Sequence, residues 1–383
     1  MKKYLFVMDY LPFPSHRDGV SLINYNILKY APKNIKVDLL LFEDVPDLDK
    51  QNIKDIFETI DTIYTFKPLS KLKQRFVNIA SLSLFGKFLF QSEEAALFLK
   101  SNEDNYDKIF ITPLVSHVNP SCYKNVFLNA VDSFSALNKT EFDRTHSLKS
   151  FFKYWLYRFF EKRLSNSVNY INFVNNKDKE FVCKNNNGRA VALNISNGVD
   201  ADFFSFQGIE NRKEKSIIFT GNFSYMPNRD AAFYLVKNIL PVLRKKYPDV
   251  TLYLVGKEPP EELVCQDGVV VTGYVDDIRP FYWQASVFLC PLRMGAGVKN
   301  KVLEAMATGV PIVSSSIGVD GIEGMKRDQN FILADSLDDT ISAIVRLFES
   351  KSTRNLLSEN ARKTIDDGIS WGEVSSRYWK VLI

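Results

Sequence analysis

Short apolar runs alternate with longer amphipathic segments along this chain. Residues 4–8 (YLFVM), 37–42 (VDLLLF), 62–66, 108–112 (KIFIT) and 126–130 read as buried strands, with a helix predicted over 21–30. The cycle restarts at 216–220 (SIIFT), which runs into Gly221. A helix is predicted over 231–246, closed by Pro248, which has no N–H to give a helix. Residues 251–255 (TLYLV, ending at Gly256), 269–272, 287–290 and 311–314 continue the series. Strand, helix, strand in this rhythm predicts α/β architecture with parallel sheets, and two cycles predict two Rossmann-like domains. A polar run, QGIENRKEK, follows NGVDADFF and marks a linker within 194–215. It divides 1–193 from 194–369. In the tail, 370–383, Trp371, Val374, Tyr378, Val381 and Leu382 fall close to helical spacing.

At 383 residues the chain is too long for one ordinary core and suits two domains. Its excess of base is confined to 1–193, where 27 Lys and Arg face 21 Asp and Glu. That suits an anionic substrate or a membrane surface and is too weak for nucleic acid. Cys122, Cys183, Cys265 and Cys290 form no CxxC pair, so neither a zinc site nor a disulfide framework is expected. The apolar run before Asp9 is too short for a signal-peptide core, and no window could span a bilayer. A cytoplasmic protein is expected.

The densest chemistry lies at 291–313, PLRMGAGVKNKVLEAMATGVPIV. A strand enters a loop bearing Gly295 and Gly297, and a helix begins near Lys299 and ends at Gly309. Such a helix start is an anion site, because free N–H groups and the positive dipole end point outward. Lys299 and Lys301 oppose that dipole unless they face a bound anion. Glu304, about one turn on, is within reach of paired ribose hydroxyls.

These residues resemble the donor-site helix of family 4 glycosyltransferases, in the subgroup that builds cell-surface polysaccharide. SNGVD at 196–200, FTGNFSYMPNRD at 219–230, Val255–Gly256, Gly273–Tyr274–Val275, Ile278–Arg279–Pro280 and Trp371 extend the resemblance over 196–380. In 1–195 it rests on PFPSHRDG at 12–19 and on Asp132–Ser133. The resemblance implies a GT-B fold: an acceptor-binding domain and a nucleotide-sugar domain facing across a cleft, with the last helix packing back on the first. It implies a retaining, metal-independent hexosyltransferase using a nucleotide-diphosphate sugar as substrate, UDP before GDP, with no cofactor. The acceptor is then a glycan or lipid-linked glycan. The implied donor site comprises Gly19, Asn222, Gly295, Ala296, Gly297, Val298, Lys299, Asn300, Lys301, Val302 and Glu304. Lys299, Lys301 and Glu304 are its catalytic candidates, joined on the acceptor side by His117 and Asp132. Two departures stand out. Ala296 occupies the place of the family's first glutamate, and the basic pair after the first strand of the second domain is absent, a charge that Lys299 and Lys301 could replace.

Each candidate has a plainer reading. Gly19 and Asn222 could serve turns, His117 could be a packed loop histidine, Asp132 a helix cap, and the two lysines solvated charges. His16 and His146 are read as plain. Asp200–Ala201–Asp202 spells the DxD of another transferase fold, but it sits in the domain junction and reads as coincidence. Residues 147–164 align Phe151, Phe152, Trp155, Leu156, Phe159 and Phe160 beside Lys149, Lys153, Arg158, Lys162 and Arg163. Residues 70–91 have a similar make-up. Such faces fit either a core helix with solvated lysines or peripheral contact with the inner membrane surface. Two other functions stay open: a nucleotide-sugar epimerase on the same fold, and a non-catalytic binding subunit.

Overall fold

A computed structural model describes residues 1–13, 18–43, 45–67, 92–112, 117–185, 188–208, 210, 212–295 and 297–383. The 70–91 segment, His16 and Ala296 lie outside the described residues. The chain forms two compact units, Met1–Ser196 with Val374–Ile383, and Asn197–Glu373.

In the first unit the strands are β1 (Lys2–Met8), β2 (Ile35–Leu41), β3 (Ile60–Thr65), β4 (Lys108–Thr112), β5 (Val126–Val131), β6 (Tyr170–Phe173) and β7 (Val191–Asn194). They make one sheet in the order β3-β2-β1-β4-β5-β6-β7, and every pairing is parallel. Register places Phe6 opposite Phe110 and Phe110 opposite Phe127. Their rings stack at 4.5 and 5.3 Å between centroids. Helix Trp371–Leu382 closes over this aromatic row: Tyr378 and Trp379 are buried, and the Trp379 indole donates to the Ile27 carbonyl at 2.8 Å. Tyr378 OH accepts from buried Asn172 Nδ2 at 2.9 Å. β6 and β7 were not legible as strands, because both are four residues long and β6 carries Asn172 at its centre.

In the second unit the strands are β8 (Lys213–Thr220), β9 (Thr251–Val255), β10 (Val269–Gly273), β11 (Ala285–Cys290), β12 (Ile312–Ser314) and β13 (Ile332–Leu333). Their order is β10-β9-β8-β11-β12-β13, again all parallel. One apolar core, including Ile218, Phe219, Leu254, Phe288, Leu303 and Ile344, lies between this sheet and its helices.

The helix predicted over 231–246 differs. It starts earlier, at Met226, and runs Met226–Tyr234, then a wider π turn Leu235–Ile239, then Leu240–Lys246. Pro241 is the cause. It gives no N–H, and its ring would strike the carbonyl four residues back, so one wider turn upstream lets the helix pass it.

Both sheets reverse direction of growth once, between β1 and β4 and between β8 and β11. At such points the loops leaving the carboxyl ends of adjacent strands diverge, and open α/β sheets bind ligands there.

Candidate anion and nucleoside site

In the second unit the loops after β8 and β11 frame that point. Gly221 ends β8 at φ +155°, and a Cβ there would lie 2.8 Å from Lys301 Nζ. Gly256, at the end of neighbouring β9, touches it so closely that a Cβ would fall 1.9 Å from the Gly221 carbonyl oxygen. Only glycine fits either place. After β11, Gly295 and Gly297 take φ of +126° and +71°, which turns the chain sharply into helix Asn300–Thr308. Arg293 anchors this loop: Nε and Nη2 hold both Asp230 oxygens at 2.9 and 2.6 Å.

Helix Asn300–Thr308 begins at Lys299 with no side chain capping it and ends at left-handed Gly309. Val302 N–H is spent on the Lys299 carbonyl at 2.8 Å, and among the described residues the Asn300 and Lys301 N–H groups keep their capacity to bind an anion. Lys299 is buried, and its Nζ donates to the Gly297 carbonyl, closing the loop on itself. Asn300 Oδ1 accepts from Asn197 Nδ2 at 2.9 Å, so SNGVD braces the same helix. Val302 is fully buried and belongs to the core. Val298 packs against that core.

Lys301 and Glu304 are half-buried on this helix. Lys301 Nζ donates to Asn228 Oδ1 at 2.7 Å and lies 4.2 Å from the Phe219 ring centroid. Burial pulls its pKa down to about 8, against the raising effect of Cys290 and Glu304. Glu304 Oε2 accepts from Tyr282 OH at 2.8 Å. Burial pushes its carboxyl up, with Tyr282 and Lys301 pulling the other way. Tyr282, fully buried, also meets Thr220 Oγ1 at 2.9 Å. One cation, one acid and an uncapped helix end thus share one sheet edge, a donor and acceptor set for a phosphate joined to a diol.

The Asn222 side chain closes a turn, accepting from Ser224 N and Oγ at 2.9 and 2.8 Å. Asp200 does likewise with Phe203 N at 2.9 Å, and among the described residues no group of three His, Cys, Asp or Glu could hold a metal.

The remaining candidates lie in the first unit. Gly19 opens helix Gly19–Lys29, whose N-terminus is capped by the Asp18 carboxylate on Ser21 N. A Cβ at Gly19 would meet nothing within 4 Å, so packing among the described residues does not demand glycine. His117 follows β4, stacks on Phe42 and holds Asp9 Oδ1 through Nδ1 at 3.2 Å. Asp9 directly follows β1, so this pair marks the first sheet's own reversal point. Sequence reasoning passed over Asp9, although its place after a buried run was a signal. Asp132 follows Val131, a β-branched residue at φ +69°. Glu161 is a further residue the sequence did not single out. Fully buried, it accepts from Ser133 Oγ at 3.1 Å and Ser135 N at 3.2 Å, and burial raises its pKa to about 7.

Three comparisons bear on this arrangement. The crystal structure of Anabaena Alr3699/HepE in complex with UDP superposes with a TM-score of 0.69 at 14% identity, covering 100% of this chain and 99% of that one. The phosphatidyl-myo-inositol mannosyltransferase of Mycobacterium tuberculosis is 30% identical over 147 residues, 36% of this chain and 38% of its own length. The "Uncharacterized 44.6 kDa protein in cps region" of Klebsiella pneumoniae is 25% identical over 179 residues, 43% of this chain and 45% of its own. The chain thus spans less than half the length of these two curated relatives. The fold is GT-B, two Rossmann-like domains, and residues 214–350, which include Gly221, Lys301 and Glu304, match the family model described as glycosyl transferases group 1.

Proposed function

We propose that the chain is a glycosyltransferase that takes a sugar from a nucleotide-diphosphate donor, UDP before GDP, with retention of anomeric configuration and without a metal. Lys301 and Glu304 on one helix, beside its uncapped end, are the observation that carries this reading. Departure of the diphosphate builds negative charge on its bridging oxygen. Donors already aimed there lower the barrier, and each is worth about 3–4 kcal/mol. Lys301, Lys299 and the amides near Gly297 take that role, and Glu304 holds the ribose hydroxyls. With the leaving phosphate accepting the acceptor's proton, no strong protein base is required. His117, oriented by Asp9, and Asp132 are assigned to the acceptor side. A thermal-shift panel of UDP- and GDP-sugars tests the donor, since a ligand specific to the native state raises Tm. Released UDP with an axial-to-axial product by NMR is the expected result. Interconversion of sugars without UDP release would mean an epimerase, and binding without turnover in any acceptor mixture a binding subunit.

For the acceptor we propose a lipid-linked glycan in cell-surface polysaccharide synthesis, met at the inner membrane face. The support is helix Leu148–Ser167. Phe160 turns into the core, but Phe152, Trp155 and Phe159 are 70%, 50% and 57% exposed, and Lys149, Lys153, Lys162 and Arg163 are exposed beside them. Aromatic side chains flanked by lysines fit an anionic bilayer surface. Flotation with phosphatidylglycerol vesicles should carry the protein up, and F152S/W155S should lower the bound fraction at least fivefold with UDP binding intact. Equal flotation of the variant would remove this assignment. Among the described residues no helix is long and apolar enough to cross a membrane.

A further inference from the structure

One buried amide stands between Gly221 and Lys301. Asn228 is 8% exposed and comes from helix Met226–Tyr234, well away in sequence from the lysine it meets. Its Nδ2 donates to the Asn222 carbonyl at 2.8 Å, and its Oδ1 accepts from Lys301 Nζ at 2.7 Å. The first bond fixes the sense of the second, because only the NH2 end can donate to a carbonyl. Gly221 leaves the room this requires, since a Cβ there would fall 2.7 Å from Asn228 Nδ2 and 2.8 Å from Lys301 Nζ. A lysine stem carries about 2 kcal/mol of rotamer entropy, which a free side chain would lose on seizing a ligand. Here that ordering is done in advance. The partner is an amide, not a carboxylate, so it orders the ammonium without neutralising it.

We propose that Asn228 is a positioning residue: a neutral latch that holds the Lys301 ammonium beside Gly221 with its full charge directed to the diphosphate of the donor. This rests on the reading of Lys301 as a diphosphate ligand. Among the described residues the ammonium gives one hydrogen bond, to Asn228, which leaves two of its three N–H groups for phosphate oxygens. Loss of the Asn228 oxygen also makes the buried ammonium easier to deprotonate, whereas a carboxylate in its place makes it harder.

Calorimetric titration of the full chain with UDP and, separately, with uridine tests the latch. For Asn228→Leu we expect UDP affinity at pH 7 to fall about tenfold and uridine affinity to stay within twofold, because the nucleoside has no phosphate to miss. The pH above which UDP affinity declines should move down in Asn228→Leu and up in Asn228→Asp. The Asp variant should also bind UDP more weakly than wild type at pH 7, since it neutralises the cation. The Asp variant decides the matter if the Leu variant fails to fold. An unchanged ratio of UDP to uridine affinity with an unmoved pH profile would overturn the latch alone. Wild type that binds neither UDP nor GDP would overturn the donor-site reading as well.

Discussion

Glu304→Ala lowers kcat/KM for the nucleotide-sugar donor by about 100-fold, and the loss appears as weaker UDP binding as well as slower turnover. A carboxylate that accepts two ribose hydroxyls makes two charge-assisted hydrogen bonds, each worth about 1.5–3 kcal/mol. Part of this is offset because Glu304 is drawn from an environment that raises its pKa and already engages Tyr282. A net loss of about 3 kcal/mol corresponds to roughly two decades in kcat/KM. The fold should survive, because Tyr282 OH keeps Thr220 and the Lys301 carbonyl as partners. Glu304→Gln retains one acceptor oxygen and should lose only about tenfold. Lys301 supplies a pH signature for the same site. Its pKa is lowered to about 8, so the ammonium is present below that value and is lost as pH rises through it. Above about pH 7, where the terminal phosphate of UDP is fully ionised, UDP affinity should hold to about pH 8 and fall toward tenfold per unit beyond it. Lys301→Met abolishes that slope and weakens UDP throughout. Glu304 helps keep Lys301 protonated, so in Glu304→Ala the decline should begin at lower pH. Unchanged kinetics in both single variants would remove this assignment of the site.

What was legible followed from local physics. The runs that became β8, β9, β11 and β12 are continuous and β-branched or aromatic, and Gly221, Gly256 and Gly309 punctuate them where backbone geometry or close approach admits no side chain. The helix beginning at Lys299 could be read from a glycine loop entering an amphipathic run. Pairings across the chain could not. Asn228 and Lys301 are 73 positions apart, and nothing near either names the other. Ser133 and Glu161 are 28 apart, and a lone glutamate among lysines and aromatics reads as solvated until the fold buries it. β13 has two residues, below any periodicity. The sequence reading passed over Pro241 inside its predicted helix, the local conflict where the ladder gives way to the π turn.

Arg212→Met destabilises the second unit by about 4 kcal/mol, the largest stability effect expected from one substitution near the site. Arg212 is 9% exposed and has no carboxylate partner among the described residues, yet its guanidinium donates to Tyr282 O, Ala285 O and Trp283 O at 2.7, 3.0 and 3.3 Å through Nη1, and to Thr308 O at 2.9 Å through Nη2. Burial pulls its pKa down to about 9, so the charge persists at neutral pH. These carbonyls are the unsatisfied ends of helix Arg279–Gln284, which carries Tyr282, and of helix Asn300–Thr308, which carries Lys301 and Glu304. One cation therefore closes the negative ends of both helices that build the site. Methionine fills much of the volume but leaves the carbonyls buried without a donor, at about 1–3 kcal/mol each before relaxation. Arg212→Lys offers a single nitrogen where the fork offers two, and should lose about half as much. Urea unfolding should show a lower midpoint with an unchanged slope. In a unit of this size, Tm should drop by roughly 8–16 °C. Because Arg212 works by joining helix ends, saturating UDP should recover part of the loss through mass action on the native state. An unfolding free energy within about 1 kcal/mol of wild type would mean that water reaches those carbonyls and that the two helices are held by their apolar faces alone.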